Sequence, residues 1–153
     1  MTATRGTTAL KKAGVPFELH TYEHRVKGAA YAAEALDIEP ARLAKTLVAA
    51  VDGEPVFALV PGDLTLDLKA LARAAGGKAA ALVEQRDAER LTGYQVGGIS
   101  PFGSRKALPV YAERRYLDHD RVALNAGARG AILELARDDL VRVLGPTVAD
   151  LAH

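Results

Sequence analysis

The sequence predicts a mixed α+β domain with a largely antiparallel sheet that is curved or barrel-like and has flanking helices. Segments with the alternation of strands outnumber segments with the apolar spacing of helices. Most connections between them are too short to contain the crossover that parallel neighbours require. The length of 153 residues, 49% of them hydrophobic and 25% charged, suits one globular domain with a single core. We therefore expect one domain over residues 1–153.

In the first half of the chain, alternation and turn residues define five elements. A short opening helix ends before Gly14 and Pro16, both of which interrupt helices. The segment FELHTY alternates as a strand does, and an alanine-rich helix follows it. Asp52-Gly53 is a turn dipeptide suited to a hairpin between the next two strands. The elements are helices at 8–13 and 29–36 and strands at 17–22, 43–51 and 55–60.

In the second half, capping residues define the helices. Asp67 is the predicted N-cap and Gly76 the predicted C-cap of the helix LKALARAA. Asp138 is predicted to cap a last helix, DLVRVL, that ends at Gly145 and Pro146. The remaining predicted elements are a helix at 84–91 and strands at 79–83, 108–111, 122–125 and 131–135.

The composition excludes several classes of protein. The chain has no cysteine, which excludes a disulfide framework, a thiolate zinc site and a cysteine nucleophile. No apolar run approaches the roughly 20 residues of a membrane span, and the N-terminal residues lack the apolar region of a signal peptide. The net charge of +1 does not mark a nucleic-acid-binding protein, although a local basic patch could. We expect a cytoplasmic protein with no membrane partner.

His20 and His24, in HTYEH, are the candidate metal ligands. Four residues of a strand span about 13 Å, which is too far for both histidines to bind one ion. The HExxH order of zinc proteases is also absent. We therefore expect surface or hydrogen-bonded histidines, with neither a metal nor a cofactor.

The segment TGYQVGGISPFG, residues 92–103, has no charge and four glycines, more than an ordinary surface turn needs. It has neither the GxGxxG spacing nor the Walker lysine of phosphate loops, and Ser100 lies in no GxSxG elbow. One interpretation is a tight connection between two elements of the sheet. The other is a surface where a ligand approaches backbone N–H groups, because glycine has no Cβ to block it.

Lys45 stands in an otherwise apolar row. In LAKTLVAAV, strand alternation places Leu43, Lys45 and Leu47 on one face. Such a lysine can reach solvent from the edge of a sheet. If it points into a pocket instead, its burial is costly unless an anion such as phosphate meets it.

Four segments lie along the chain in the order HTYEH, AKTLVAAVDG, TGYQVGGISPFG and NAGARG. Through these segments the sequence resembles the YbaK family of bacterial aminoacyl-tRNA deacylases. The match covers nearly the whole chain and is best with the Cys-tRNA(Pro) deacylases of that family. It implies a free-standing α+β editing domain, related to one inserted in some prolyl-tRNA synthetases. Such a domain removes cysteine from proline tRNA. The resemblance also raises two further expectations, activity on Cys-tRNA(Cys) and a transient complex with prolyl-tRNA synthetase. In the mechanism it implies, the substrate thiol attacks its own ester.

The resemblance also implies the site residues. Lys45 falls on the functional lysine near the tRNA 3′ end and Tyr22 on the pocket tyrosine, and both are assigned as catalytic. The implied substrate-binding residues are Gly97, Gly98, Ile99, Ser100, Pro101, Phe102, Asn125 and Gly127. Among these, Pro101 is expected to fix the exit of the loop and Phe102 to pack beneath it or stack on a base. The candidates for contact with tRNA phosphates are Arg105, Lys106 and Arg129.

The segment NAGARG departs from the SGGKRG usual in the family. Asn125 replaces a serine, Ala126 a glycine and Ala128 a lysine, whereas Arg129 is retained. Two alternatives to the cysteine-specific enzyme therefore stay open. One is a deacylase for Ala-tRNA or for another small amino acid, and the other is a non-catalytic module that binds tRNA or a synthetase.

Overall fold

The computed structural model describes residues 3–23 and 29–153. Its helices are α1 (Arg5–Lys12), α2 (Ala29–Leu36), α3 (Leu68–Ala74), α4 (Gln85–Thr92) and α5 (Arg137–Leu144). Its strands are β1 (Glu18–Thr21), β2 (Ala44–Val51), β3 (Glu54–Pro61), β4 (Ala80–Leu82), β5 (Val110–Glu113), β6 (Arg121–Ala128), β7 (Ala131–Ala136) and β8 (Thr147–Ala149). Within the described ranges, no helix has the length and apolar character needed to cross a membrane.

The strands form two sheets. The smaller sheet is antiparallel and has the order β1-β7-β6, and the larger has the order β4-β2-β3-β5-β8. In the larger sheet β2 pairs with β3 and β4 antiparallel, whereas β5 pairs with β3 and β8 parallel. A parallel bridge between Leu43 and Ala123 joins the two sheets. The predicted fold class, a mixed and largely antiparallel α+β domain, is confirmed.

The hairpin of β2 and β3 follows the sequence expectation closely. Its two-residue turn is Asp52-Gly53, and both residues have positive φ, 49° and 86°. A turn of this kind matches the twist of the flanking strands. The carboxylate of Asp52 also accepts hydrogen bonds from the backbone of Lys78 and Ala79, which fixes the start of β4 beside the turn.

The main core lies between the two sheets. Phe57 and Leu59 of β3 pack with Leu124 of β6 and Leu133 of β7, and all four are almost fully buried. Tyr116 is completely buried among them and donates its hydroxyl to the Ala123 carbonyl at 2.9 Å, and burial raises the pKa of this phenol. Such burial of large apolar side chains supplies most of the stabilisation of a domain of this size.

Two of the predicted caps are confirmed and two are displaced. Asp67 is the N-cap of α3, where its carboxylate accepts from the Ala70 N–H at 3.1 Å, and Gly145 ends α5 in the left-handed conformation. The C-cap of α3 is Ala75, and Gly76 is the residue after it. The prediction that Asp138 caps α5 is wrong, because β7 runs directly into the helix and Asp138 lies in its first turn.

The strand β8 was not predicted, and it belongs to a C-terminal segment that a buried carboxylate holds in place. The side chain of Glu113, at the end of β5, has no exposed surface. It accepts hydrogen bonds from the backbone N–H groups of Leu151 and Ala152 at 2.8 and 3.0 Å. It also accepts two from Arg115, one from the backbone and one from Nε, both at 3.0 Å.

Candidate functional site

A cavity of about 420 Å³ lies at the edge of β2. β4 pairs with residues 49–51 of β2 and Val83 adds one hydrogen bond to the Val48 carbonyl, so residues 44–47 lie beyond the reach of β4. Side chains from both sheets and from the segment 92–103, which we call the glycine loop, surround this open edge. The lining residues are Tyr22, Ala32, Leu43–Val48, Leu82, Val83, Gln85, Ala88, Val96, Gly97, Ile99, Asn125 and Ile132.

Lys45 is the one charged residue among the described residues that line the cavity. Its ammonium donates a hydrogen bond to the Leu64 carbonyl, and no described carboxylate lies within 4.0 Å of it. The side chain is half-buried and the cavity around it is mostly aliphatic. A positive charge that meets only a neutral carbonyl leaves room for an anion as its second partner.

Tyr22 reaches the same cavity from the other sheet. Its backbone N–H donates to the Gly130 carbonyl at 2.9 Å, which continues the pairing of β1 with β7 beyond Thr21. Its half-buried side chain packs on the small apolar cluster that contains Leu43 and Ile132. The two residues predicted to be catalytic, Lys45 and Tyr22, therefore line one cavity.

The glycine loop is a closed unit with its own internal bonds. Backbone hydrogen bonds from Arg105 to Thr92 and from Lys106 to Leu91 close its base at 2.8 and 3.0 Å. Inside the loop, the Tyr94 hydroxyl donates to the Phe102 carbonyl at 2.6 Å. Burial raises the pKa of Tyr94 to about 12, so this donor keeps its proton throughout the physiological range.

Gly97 and Ile99 are the loop residues that could meet a ligand through their backbone. Both line the cavity, and neither backbone N–H donates to another described residue. Gly97 has a φ of 94°, which favours glycine at this position. Gly98, between them, donates its N–H to the Gln95 carbonyl at 2.8 Å. These two residues of the cavity lining thus each have a backbone N–H with no partner among the described residues.

Five of the residues predicted to bind substrate do not line this cavity: Gly98, Ser100, Pro101, Phe102 and Gly127. A Cβ on Gly98 would lie 2.8 Å from the backbone nitrogen of Arg129, so this glycine allows two loops to approach each other. Phe102 is only 2% exposed and packs in the main core, where it cannot stack on a base. Ser100 is fully buried, and its hydroxyl accepts from the Phe102 N–H at 3.2 Å.

The hairpin NAGARG, residues 125–130, holds the glycine loop against the cavity. Asn125 donates its amide to the Gly97 carbonyl at 3.1 Å, and its amide oxygen accepts from Gly127 and Ala128 across a bulge. Arg129 donates Nε to the Val96 carbonyl at 3.0 Å. Asn125 lines the cavity, but its amide is already engaged with the protein. Its main contribution is to position the loop.

The three cations predicted to contact phosphate lie around the loop and outside the cavity. Arg105 and Lys106 are exposed at its base, and Arg129 is half-buried beside it. Arg129 has one donor committed to the Val96 carbonyl, and no described carboxylate lies within 4.0 Å of any of the three.

His20 is hydrogen-bonded, as expected, and His24 lies outside the described residues. The His20 ring lies 3.0 Å from Glu134, and Glu18 completes a group whose ligand atoms lie within 4.8 Å of one another. Arg42 and Arg121 contact the same Glu134 carboxylate at 2.7 and 3.7 Å. Burial alone would raise the pKa of Glu134, but the bonds from Arg42 and His20 lower it below its ordinary value. The negative charge of Glu134, which a metal ion would need, is thus already paired with Arg42, Arg121 and His20.

Sequence reasoning missed several residues of the cavity, including Thr46, Gln85 and Ile132. The hydroxyl oxygen of Thr46 is buried, and it is the one buried side-chain polar atom in the described residues that has no hydrogen-bond partner. Ile132 follows the alternation of β7, so the apolar pattern could have placed it. Gln85 opens α4 after a short edge strand, and nothing in the local sequence marks it.

Comparison with known proteins places this chain in a family. The family model described as aminoacyl-tRNA editing domain matches residues 23–143. The chain is 38% identical over 120 residues to EbsC of Enterococcus faecalis, named as a candidate Cys-tRNA(Pro)/Cys-tRNA(Cys) deacylase. That match spans 78% of this chain and 73% of EbsC.

Two further relatives agree. The Multifunctional Ser/Thr-tRNA deacylase ProXp-y of Escherichia coli K12 is 31% identical over 112 residues, which span 70% of this chain and 67% of that protein. A crystal structure of a candidate trans-editing enzyme for prolyl tRNA synthetase superposes with a TM-score of 0.88 at 27% identity, and covers 97% of this chain and 95% of its own. The chain therefore belongs to the YbaK-type aminoacyl-tRNA editing family and is a trans-editing aminoacyl-tRNA deacylase.

Proposed function

We propose that this deacylase removes cysteine from mischarged Cys-tRNA(Pro), and also acts on Cys-tRNA(Cys). The observation that carries the proposal is the chemistry of the cavity. Its described lining residues include no Cys, Ser, His, Asp or Glu, so they offer none of the Ser–His or Cys–His pairs that usually attack an ester. A substrate that brings its own nucleophile fits such a cavity, and a cysteinyl ester does so through its thiol.

Lys45 and the glycine loop have separate roles in this proposal. The ammonium of Lys45 binds the negatively charged 3′ end of the tRNA, because its one partner among the described residues is a neutral carbonyl. The N–H groups of Gly97 and Ile99 receive the ester carbonyl oxygen as negative charge develops on it. A donor of this type contributes about 10²–10³-fold to the rate of acyl transfer. Tyr22 lies on the opposite side of the cavity and orients the substrate.

The proposed step needs no added reactant. The cysteinyl sulfur bonds to the ester carbonyl carbon, the bond from that carbon to the ribose oxygen breaks, and the thiol proton passes to the ribose oxygen. The products are tRNA with a free hydroxyl and a cyclic cysteine thiolactone, which water opens to cysteine. Because the nucleophile is already attached to the electrophile, the protein has only to position and polarise the ester.

Release of amino acid from four substrates tests the proposal: Cys-, Ser-, Ala- and S-methylcysteinyl-tRNA(Pro). Cysteine should be released fastest, and the S-methyl compound should be resistant because its sulfur carries no proton and is blocked. Equal rates for cysteine and S-methylcysteine would show that water attacks the ester. Preferred release of serine would instead give this chain the activity named for its Escherichia coli relative, and preferred release of alanine would make it an alanine-specific editing enzyme.

We also propose a transient complex with prolyl-tRNA synthetase, supported by the structural relative described as a candidate trans-editing enzyme for that synthetase. Editing in trans requires the mischarged tRNA to pass from one protein to the other before it enters translation. Deacylation at a limiting enzyme concentration should accelerate when the synthetase is added. No acceleration over a range of synthetase concentrations would exclude the complex.

A further inference from the structure

A second groove, of about 560 Å³, lies on the other side of the NAGARG hairpin. It is formed by the start of α1, the end of β1, Gly93 and Tyr94 of the glycine loop, and residues 127–131. Its described lining includes two arginines, Arg5 and Arg129, and no acidic residue. The groove is therefore positive in a protein whose net charge is only +1.

The guanidinium of Arg5 lies over Gly93, at the point where the glycine loop leaves α4. Gly93 has a φ of 79°, and a Cβ at this position would overlap Nη1 of Arg5. The Arg5 side chain has no hydrogen bond to a described residue and no described carboxylate within 4.0 Å. All five of its N–H donors are thus available to a ligand.

The position of Arg5 in its helix adds to the positive charge of the groove. Arg5 is the first residue of α1, and the first turn of that helix contains no acidic residue. A cation at the N-terminus of a helix is unfavourable, because the helix dipole is positive there. Among the described residues no carboxylate lies within 4.0 Å of Arg5 to offset this cost, whereas an anion in the groove would offset it.

Two further arginines belong to the surroundings of Arg5, one in the lining of the groove and one beside Gly93. Arg129 lines the groove and uses only Nε for the Val96 carbonyl. The Cβ of Arg105 lies 3.5 Å from the Cβ position of Gly93, so its side chain starts beside that of Arg5. Guanidinium groups bind phosphate in a bidentate manner, so the cluster is suited to a chain of phosphodiesters.

The groove and the cavity of the candidate site border the same two elements, the NAGARG hairpin and the end of β1. The NAGARG hairpin places Asn125 on the cavity and Arg129 and Gly130 on the groove. Beside Gly130 and Ala131, Thr21 at the end of β1 lines the groove and the next residue, Tyr22, lines the cavity. A strand that leaves the cavity beside Tyr22 would have to pass the edge of the hairpin to reach the groove.

We propose that this groove binds the phosphodiester groups of the single-stranded 3′ end of the tRNA, just before the esterified nucleotide, and that Arg5 is a substrate-binding residue. This inference rests on the proposed function, because the ester must lie in the cavity for the preceding phosphates to reach Arg5. It assigns a role to the opening helix, which lies outside the matched editing domain.

The test compares R5Q with the wild type on two substrates, Cys-tRNA(Pro) and a cysteinyl adenosine ester that has no phosphodiester. On the tRNA, R5Q should lower kcat/KM about tenfold, mainly through KM, and reduce the slope of log affinity against log salt by about 0.7, the value for one contact to a single strand. On the adenosine ester the two proteins should be equal. R73Q removes the same charge from α3, outside both the cavity and the groove, and should change nothing.

An equal loss on both substrates would overturn the proposal, because Arg5 would then act on the site itself. Unchanged kinetics on the tRNA would overturn it as well. Binding of uncharged tRNA separates this inference from the proposed function: R5Q should weaken binding even if the wild type proves to release no cysteine. Thermal melts of R5Q and R5K check folding, and R5K should restore part of the lost affinity because it keeps the charge.

Discussion

Lys45 and Glu113 are both charged residues on strands of the larger sheet, and the protein surrounds them in opposite ways. Glu113 is fully buried and accepts four hydrogen bonds, from Arg115 and from the backbone of the C-terminal segment. Lys45 has one partner in the part of the chain that the structure describes, the Leu64 carbonyl, and faces a cavity. A charge that stabilises the fold has all of its partners within the chain, whereas a charge that serves a ligand retains unused capacity. The following predictions test this distinction.

The largest effect on stability is expected for E113Q. The amide cannot accept all four hydrogen bonds, and it leaves the Arg115 guanidinium without its anion. The free energy of unfolding should fall by about 2 kcal/mol, as when hydrogen bonds to a buried charged group are lost. Cysteine release per folded molecule should not change, because Glu113 does not line the cavity. A loss of rate per folded molecule would show that the C-terminal segment also supports the site.

The same residue predicts how stability depends on pH. Burial alone would raise the pKa of Glu113, but the hydrogen bonds from Arg115 and Leu151 lower it from 4.5 to about 2. Because the folded state holds the proton more weakly than the unfolded state, this contribution is complete above pH 4.5 and is lost as the pH falls towards 2. Urea unfolding of the wild type and E113Q from pH 6 to pH 2 should show the difference between them shrinking. A constant difference would contradict the assignment.

An effect on stability of comparable size is expected for G98A. The new Cβ would approach the backbone of Ala128 and Arg129 within 3 Å, so the glycine loop and the hairpin must separate. Stability should fall by about 2 kcal/mol, typical of overpacking, and the rate per folded molecule should fall with it because the loop carries the N–H groups of Gly97 and Ile99. G76A, where positive φ is the only obstacle, is the matched control and should lose stability alone. A G98A protein of normal stability and normal rate would show that the two loops need not pack closely.

The smallest effect is expected for T46V. The Thr46 hydroxyl is buried without a partner, so its replacement by a methyl group removes an unsatisfied polar atom. Stability should stay the same or rise by about 0.5 kcal/mol. Thermal melts and cysteine release on the same preparation measure both quantities. A clear loss of stability would mean that the hydroxyl has a partner in solution, and a loss of rate alone would assign Thr46 to substrate binding.

The sequence predicted which segments form the site better than it predicted which residues of the glycine loop face the cavity. Alternation along β2 singled out Lys45, and the resemblance to the YbaK family added Tyr22; both line the cavity. The glycine content of residues 92–103 marked the loop, but it could not show which residues face the cavity. Gly98 and Phe102 turn away because they pack on the hairpin and on the core, which are distant in the sequence.

Other features depended on tertiary contacts that local patterns do not contain. β8 has three residues and forms only because β5 offers it a parallel edge. Arg5 reaches the groove because α1 packs against β6, and a Cβ on Gly6 would overlap the Ala126 carbonyl at that contact. Asp138 lies in the first turn of α5 instead of capping it because the strand before it continues into the helix without a loop.

The most direct test of the account is the single-turnover rate of cysteine release from Cys-tRNA(Pro) by K45M, measured per folded molecule. Methionine keeps the aliphatic stem and removes the charge, and K78M provides a control at an exposed lysine. With the enzyme below saturation, we predict a rate about 100-fold lower for K45M, comparable to loss of a charge-assisted hydrogen bond to the tRNA 3′ end, with a melting temperature equal to or above that of the wild type. A wild-type rate, or a rate that falls only in step with stability, would contradict the claim that this charge serves the substrate.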